Sequence, residues 1–352
     1  MKKGGEKILI IILILLIIAA GAFIAIKKLG KKDSKADNQE NIEIEEEKVE
    51  EKSVEIFKGD DRPIAVMIDN NVNAQPQAGI DKAYIVYEII VEGGESRLMP
   101  VFKGVDLEKI GPIRSSRHYF LDYALENDAI YVHLGWSPQA QSQIPMLGVN
   151  NINGQYYDTG AAQTATSKFW RERSRNAPHN ALTNTQMILK IAQDLGYRTT
   201  SSQKSVLNYV TEEVTNENGQ EAKTVSIPYS GNSHIVKYEY DEETQRYTRY
   251  SKGKKQTEWI TGNTITTKNI IITFANNYTL NDGENKGRQD VQTVGTLKGY
   301  YITNGKAIEI TCEKTSRSAQ TVYKDLSGNV IKVNDGNTFI NICPINANVT
   351  FN

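Results

Sequence analysis

Cysteine is nearly absent. Two residues, Cys312 and Cys343, occur in 352, which excludes a disulfide-dense scaffold and a four-thiolate zinc site. Histidine is scarce as well, and its four residues form no HExxH or comparable ligand spacing, so neither a metal nor another cofactor is expected. No G-x-S-x-G turn frames Ser137, which removes the usual setting of a serine hydrolase. Excess charge of one sign is also missing: 41 Lys and Arg stand against 42 Asp and Glu, which argues against a general nucleic-acid binder. No repeat of fixed period is evident, and 39% hydrophobic residues fits one or two globular domains.

The long apolar run lies at the start. Ile8–Ile26 is free of charge and bracketed by lysines; at about 1.5 Å per residue it spans roughly the ~30 Å hydrocarbon core of a bilayer. We expect a transmembrane signal anchor over 8–26, after a cytoplasmic N-terminus at 1–7. Ala20-Gly21-Ala22 is the alternative, a small-residue cleavage site. Lys27, Lys28, Lys31 and Lys32 favour an uncleaved anchor, although a literal positive-inside count would keep the rest of the chain in the cytoplasm. Export of the long C-terminal part is the expectation, giving a single-pass protein of the cell membrane with its bulk extracytoplasmic.

Residues 27–57 read as an acidic tether, since 33–55 hold ten acidic residues and three lysines with almost no structure-forming pattern. The chain beyond 55 holds 31 basic and 31 acidic residues, so any charged site in it must be local. Across 58–200 short apolar runs alternate with helix-like stretches. Pro63–Ile68, Tyr84–Val91, Leu98–Phe102 and Ala129–His133 predict buried strands. Helices are expected through Tyr119–Glu126, from Ser137 with Pro138 in the first turn, and from Thr183 to a stop at Gly196. Residues 201–232 read as a polar connection with a hairpin near Asn218-Gly219, and 233–352 as a β-rich antiparallel domain with turns at Asn304-Gly305 and Ser327-Gly328. The fold class is therefore α+β: a mixed α/β domain followed by a β-rich one.

Chemistry is sparse and concentrated in the first domain. Residues 97–175 hold six of the twelve arginines and three lysines. Arg97, Arg114, Arg117, Arg171 and Arg175 thus become candidate ligands for an anion, because a guanidinium fork matches a carboxylate or phosphate. Ordinary pairing with Glu88, Glu92, Glu95, Asp122 and Glu172 is the plainer reading. Asp69-Asn70 closes the first strand, where binding residues often sit. Glu88 would be an inward carboxylate needing Arg97 or Arg114 as partner. His133 ends a buried strand and His179 precedes a helix; with Asp69 or Glu88 they are candidate acid–base groups. Ser137 and Asn180 complete the candidate set. Cys312 and Cys343 either bridge adjacent strands or stay as buried thiols.

Several ordered blocks, RPIAVMIDN, AYIVYEIIVEGGESRLMPVF, IGPIRSSRHYFLDYALENDAIYVHLGWSPQA and FWRERSRNAPHN, resemble the YerB-like family of bacterial proteins assigned as lipoproteins. They cover about residues 60–190, and VKYEYDEETQRYTRY with GNTFINICP resembles the family's second domain more loosely. The resemblance implies a two-domain, envelope-facing protein, largely of Gram-positive bacteria, without an established activity. It carries over Asp69, Asn70, Glu88, Gly93, Gly94 and Arg97, then Arg114, Ser115, Arg117, His133, Ser137 and Pro138, and finally Arg171, Pro178, His179 and Asn180. The chain departs from the family in having an apolar anchor without a lipobox cysteine, and ITCEK where an aromatic-x-Lys strand is usual.

Two functions are therefore in view. One is an envelope protein that binds an anionic cell-wall component or a partner protein. The other is a wall hydrolase using Asp69 and Glu88 as acid and base, or those residues with His133, His179 and a metal. The partners expected are the membrane, through the apolar helix, and a wall polymer or envelope protein, with no nucleic acid.

Overall fold

A computed structural model describes residues 53–352. The expected anchor at 8–26 and most of the tether lie outside the described residues. No described helix is long and apolar enough to cross a membrane.

Twelve strands carry the architecture. In chain order they are β1 (Ile64–Val66), β2 (Ile85–Ile90), β3 (Ser96–Phe102), β4 (Ile130–His133) and β5 (Asn151–Asn153). Then come β6 (Thr224–Ser230), β7 (His234–Asp241), β8 (Arg246–Ser251), β9 (Asn269–Ala275), β10 (Gly295–Thr303), β11 (Lys306–Lys314) and β12 (Thr338–Pro344). The central sheet runs β11-β10-β9-β12-β2-β3-β1-β4-β5. Here β9, β12 and β2 are mutually parallel neighbours, as are β1, β4 and β5. Because β3 is antiparallel to both β1 and β2, these two parallel groups point the same way, and their carboxyl ends share one edge of the sheet.

The sequence explains the order. IVYEII of β2, SRLMPVF of β3 and TFINICP of β12 are buried at every position, as strands covered on both faces must be. By contrast, TVSIPYS of β6 and RYTRYS of β8 bury every second residue, the pattern of a sheet with one wet face. Strands β8-β7-β6 form a second sheet, bounded by Lys254–Lys255 and Thr350–Phe351. Its inward Tyr229 hydroxyl donates to the Glu88 carbonyl at 3.0 Å, and that of Tyr238 to Asn341 Oδ1 at 3.2 Å, seating this sheet on β2 and β12. Three short helices complete the fold: α1 (Phe120–Glu126), α2 (Pro138–Met146) and α3 (Thr185–Asp194). Ser137 caps α2 by accepting from the Ala140 N–H, with Pro138 in the first turn, and Asn184 caps α3 through the Met187 N–H, satisfying otherwise orphaned donors.

Three expectations are corrected and one open alternative is decided. The second domain is not purely antiparallel, since β12 is parallel to β9 and also to β2 of the first domain; the two domains share one sheet. The stretch read as a polar connection contains β6, whose hydroxyl-bearing outward positions masked the alternation of Val225, Ile227 and Tyr229. Residues Gln220–Glu221 after Asn218-Gly219 pair with β11 and not with the chain before the turn. Finally, Cys312 and Cys343 are buried free thiols. Their strands, β11 and β12, are separated by β10 and β9, three interstrand steps or roughly 14 Å, beyond the reach of a disulfide.

Register decides which face each candidate occupies. Glu88 is paired with Leu98, and Asp69 with Arg97. Cross-strand partners share a face while neighbours along a strand alternate, so Glu88 lies on one face and Asp69 and Arg97 on the other. The Glu88 face carries the second sheet. The opposite face carries α1, whose Glu126 accepts from the Tyr87 hydroxyl at 2.7 Å.

Candidate anion-binding site

At the carboxyl edge, Asp69 is held between a histidine and an arginine. Its Oδ1 accepts from the Asn71 N–H at 3.0 Å. Its Oδ2 lies 2.7 Å from His179 Nδ1 and 3.2 Å from Arg114 Nε. The Arg114 contact is close but misaligned, and that buried Nε has no hydrogen-bond acceptor. The Arg114 side chain keeps 28% of its exposure and that of His179 17%, so both reach solvent.

Arg97 and Arg117 stand behind them around Glu92. Arg117 donates through Nε to Glu92 Oε2 at 2.9 Å and through a second nitrogen to Oε1, while Arg97 Nη2 is 3.6 Å from the same Oε1. Backbone carbonyls take other donors: Ser115 accepts from Arg97, and Ser116 from Arg117 at 2.7 Å. Glu92 is presented by the turn Glu92–Gly94, in which Gly93 and Gly94 adopt φ of 71° and 72°, conformations natural to glycine. Burial opposes ionisation of Glu92, but its bond to Arg117 and the charges of Arg97 and Arg117 outweigh it and hold the carboxyl near 2. Arg97 is pushed down to about 10, first by burial and then by the like charge of Arg117, against the opposing pull of Glu92. Three guanidiniums thus share two carboxylates, an arrangement that leaves a local positive potential suited to an anion.

The other sequence candidates sit elsewhere. Glu88 is fully buried on the far face, ion-paired to Arg249 and accepting from Ser96 Oγ at 2.6 Å and Asn70 Nδ2 at 3.1 Å. Its partner is thus Arg249, neither Arg97, which faces the other way, nor Arg114. Desolvation works against the carboxylate, yet Arg249 and His234 hold it at about 2. Asn70, next to Asp69, turns inward to this network. His133 is fully buried, with Nδ1 2.8 Å from the Gly135 carbonyl and Nε2 3.0 Å from Asn151 Nδ2; burial pushes it down to about 4, so it is neutral. Ser137 is a helix cap. Arg171 pairs with Asp158 at 2.5 Å and donates to Asn180. Arg175 donates to the carbonyls of Ala74 and Pro76, both at 2.7 Å, and stacks 3.5 Å over Trp259.

The structure therefore brings together Asp69, His179, Arg97, Arg114 and Arg117, and does not bring Asp69 and Glu88, or His133 and His179, to one site. Among the described residues no group of three His, Cys, Asp or Glu side chains could hold a metal. Sequence reasoning missed Arg249 and His234 as partners of Glu88. The alternation Tyr247, Arg249, Ser251 along β8 marks Arg249 as inward, which is the signal that could have found it.

Two family profiles match the chain: "Protein of unknown function (DUF3048) N-terminal domain" over residues 50–198 and the corresponding C-terminal domain over 225–340. The chain is 32% identical over 293 residues to "Putative lipoprotein YerB" of Bacillus subtilis (strain 168), covering 80% of this chain and 81% of the relative. It belongs to the YerB-like family. The crystal structure of Bacillus subtilis YerB has a TM-score of 0.72 with 30% identity, covering 83% of this chain and 94% of that one.

In this YerB-like chain the two family domains are joined by buried charges as well as by the sheet. Glu88 reaches Arg249, Glu126 reaches Lys314 at 2.7 Å, and Asp122 reaches Arg317 at 2.7 Å. Each pair takes its carboxylate from the first domain and its cation from the second. Removing one partner of a buried pair leaves an uncompensated charge, so these contacts make the joint specific.

Proposed function

We propose that this YerB-like protein is a membrane-attached, extracytoplasmic envelope protein whose first domain binds an anionic cell-wall polymer through Arg114, with Arg97 and Arg117 behind it and His179 at the rim. The observation that carries the reading is the shared pairing of three arginines with Asp69 and Glu92, together with the buried Nε of Arg114, which touches Asp69 without making a hydrogen bond. Arg171, Arg175, Ser137, Asn70 and Asn180 have internal roles and contribute through the scaffold. Attachment follows from the apolar run at 8–26 as a single-pass anchor. The chain's cysteines are Cys312 and Cys343, so a lipid thioether near the N-terminus has no acceptor in this sequence.

The test is retention of the detergent-solubilised full chain by isolated cell wall. Retention is expected to fall at least about tenfold in Arg114→Glu and to weaken as salt is raised. Unchanged retention by that variant would sink the proposal.

A second reading has one observation in its favour. The 2.7 Å contact between Asp69 and His179 Nδ1 leaves Nε2 for a substrate, the arrangement of a histidine base oriented by a carboxylate. This reading locates hydrolysis at Asp69 and His179 and makes Glu88 structural. It requires soluble fragments released from the same wall by the native chain and none by His179→Ala; no release by the native chain ends it.

A further inference from the structure

A groove of about 730 Å³ opens on the same sheet edge, between the end of β2 at Ile90, the chain after β9 at Asn277, the chain after β12 and the outer edge of β6. Its position is that of ligand crevices in open sheets, beyond the carboxyl ends of parallel strands. No charged side chain lines it, although 24% of the chain is charged. Four carboxamides, Asn232, Asn277, Asn346 and Asn348, and four hydroxyl-bearing residues line it alongside apolar Ile90 and Pro228.

We infer that this groove is a second binding site, for an uncharged saccharide chain bearing acetamido groups. Three arguments lead there. A lining without charge cannot offset the desolvation of a carboxylate, phosphate or ammonium, so the ligand is neutral. A carboxamide offers a donor and an acceptor side by side, which matches the N–H and C=O of an acetamido group and the vicinal hydroxyls of a sugar. The apolar side chains suit its C–H faces.

A peptide added as a strand is the competing occupant, because residues 350–352 cover β6 only from Thr224 to Ser226. The remaining edge is blunted. The Thr224 N–H points outward, to the Asn352 carbonyl at 2.6 Å, so strand alternation aims position 228 the same way. Pro228 occupies that position and has no N–H to give.

No residue of the arginine cluster lines the groove, and the experiment keeps the two sites apart. The full chain in detergent is titrated with the N-acetylglucosamine tetramer, the glucose tetramer of the same β1–4 linkage, and poly(glycerol phosphate), by ligand-observed NMR and calorimetry. We expect the N-acetylated tetramer to bind and the glucose tetramer to bind at least about tenfold more weakly. The double variant Asn232→Ala, Asn348→Ala changes exposed positions; with an unchanged melting temperature it should lose about tenfold for the N-acetylated tetramer, the cost of two hydrogen bonds. Arg114→Glu should leave that affinity intact while altering only the polyanion. No binding of the N-acetylated tetramer at millimolar concentration, equal binding of both tetramers, or full affinity in the double variant would each overturn the inference.

Discussion

Glu88 shows what a single side chain decides in this molecule. Its carboxylate and the Arg249 guanidinium are fully buried, so replacing Arg249 by Met leaves an unpaired charge inside the protein. The expected loss is about 3–5 kcal/mol in urea denaturation, and adding Glu88→Leu should restore much of it. Titration adds a pH signature. The folded Glu88 and Glu92 carboxyls sit near 2 against an ordinary 4.5, so their stabilisation is complete above 4.5 and is lost as pH falls toward 2. His133, held near 4 against 6.5, is buried neutral and disfavours protonation, which removes stability as pH falls from 6.5 to 4. Urea midpoints should therefore decline below pH 6.5 and more steeply below 4.5, with His133→Asn flattening the first part; a flat midpoint from pH 6.5 to 4.5 in the native chain would contradict this account. The sequence marked Glu88 as an inward carboxylate needing a cation. It did not disclose Arg249, because the pairing depends on how two sheets stack, 161 positions apart. Asp69 and His179, 110 positions apart, were separate candidates whose meeting is likewise a tertiary fact.

Strands and turns were more legible than partners. β2, β4, β8, β9 and β12 lie where their apolar or alternating runs place them, since burial of β-branched and aromatic residues dictates them locally. β6 escaped notice because Ser226, Pro228 and Ser230 are turn formers by composition, and only their alternation with Val225, Ile227 and Tyr229 reveals a strand. The turn that presents Glu92 offers a test at this scale. Gly93 has open space where a Cβ would stand, whereas a Cβ on Gly94 would lie 2.3 Å from Ser230 Oγ, at a similar positive φ. Gly93→Ala should cost about 1 kcal/mol from backbone strain alone, and Gly94→Ala distinctly more through the displaced β6–β7 turn. Equal melting temperatures for the two variants would mean that the turn does not press on the second sheet.

At the scale of the whole molecule, the boundary between the family's two domains is real in sequence and absent in hydrogen bonding. The pairing of β12 with β2 runs through the centre of the sheet, and two buried carboxylate–cation pairs and a third, half-buried one cross the same joint. Calorimetry on the native chain should accordingly show one transition for both domains; two resolved transitions would show that the joint is weak. Strand order within the shared sheet could not be read from the sequence, because every strand buried on both faces is equally apolar and nothing local tells β12 which neighbours to choose. Its place has a consequence for how the protein is made. The strand that fills the middle of the sheet, at 338–344, is synthesised after both of its neighbours, at 85–90 and 269–275. A nascent chain therefore carries β2 and β9 with their facing edges open until β12 has emerged. Such a chain stays unfinished in tertiary structure while it emerges, the condition in which a polypeptide can still be threaded through a narrow pore, and the sheet closes only when β12 arrives between its neighbours.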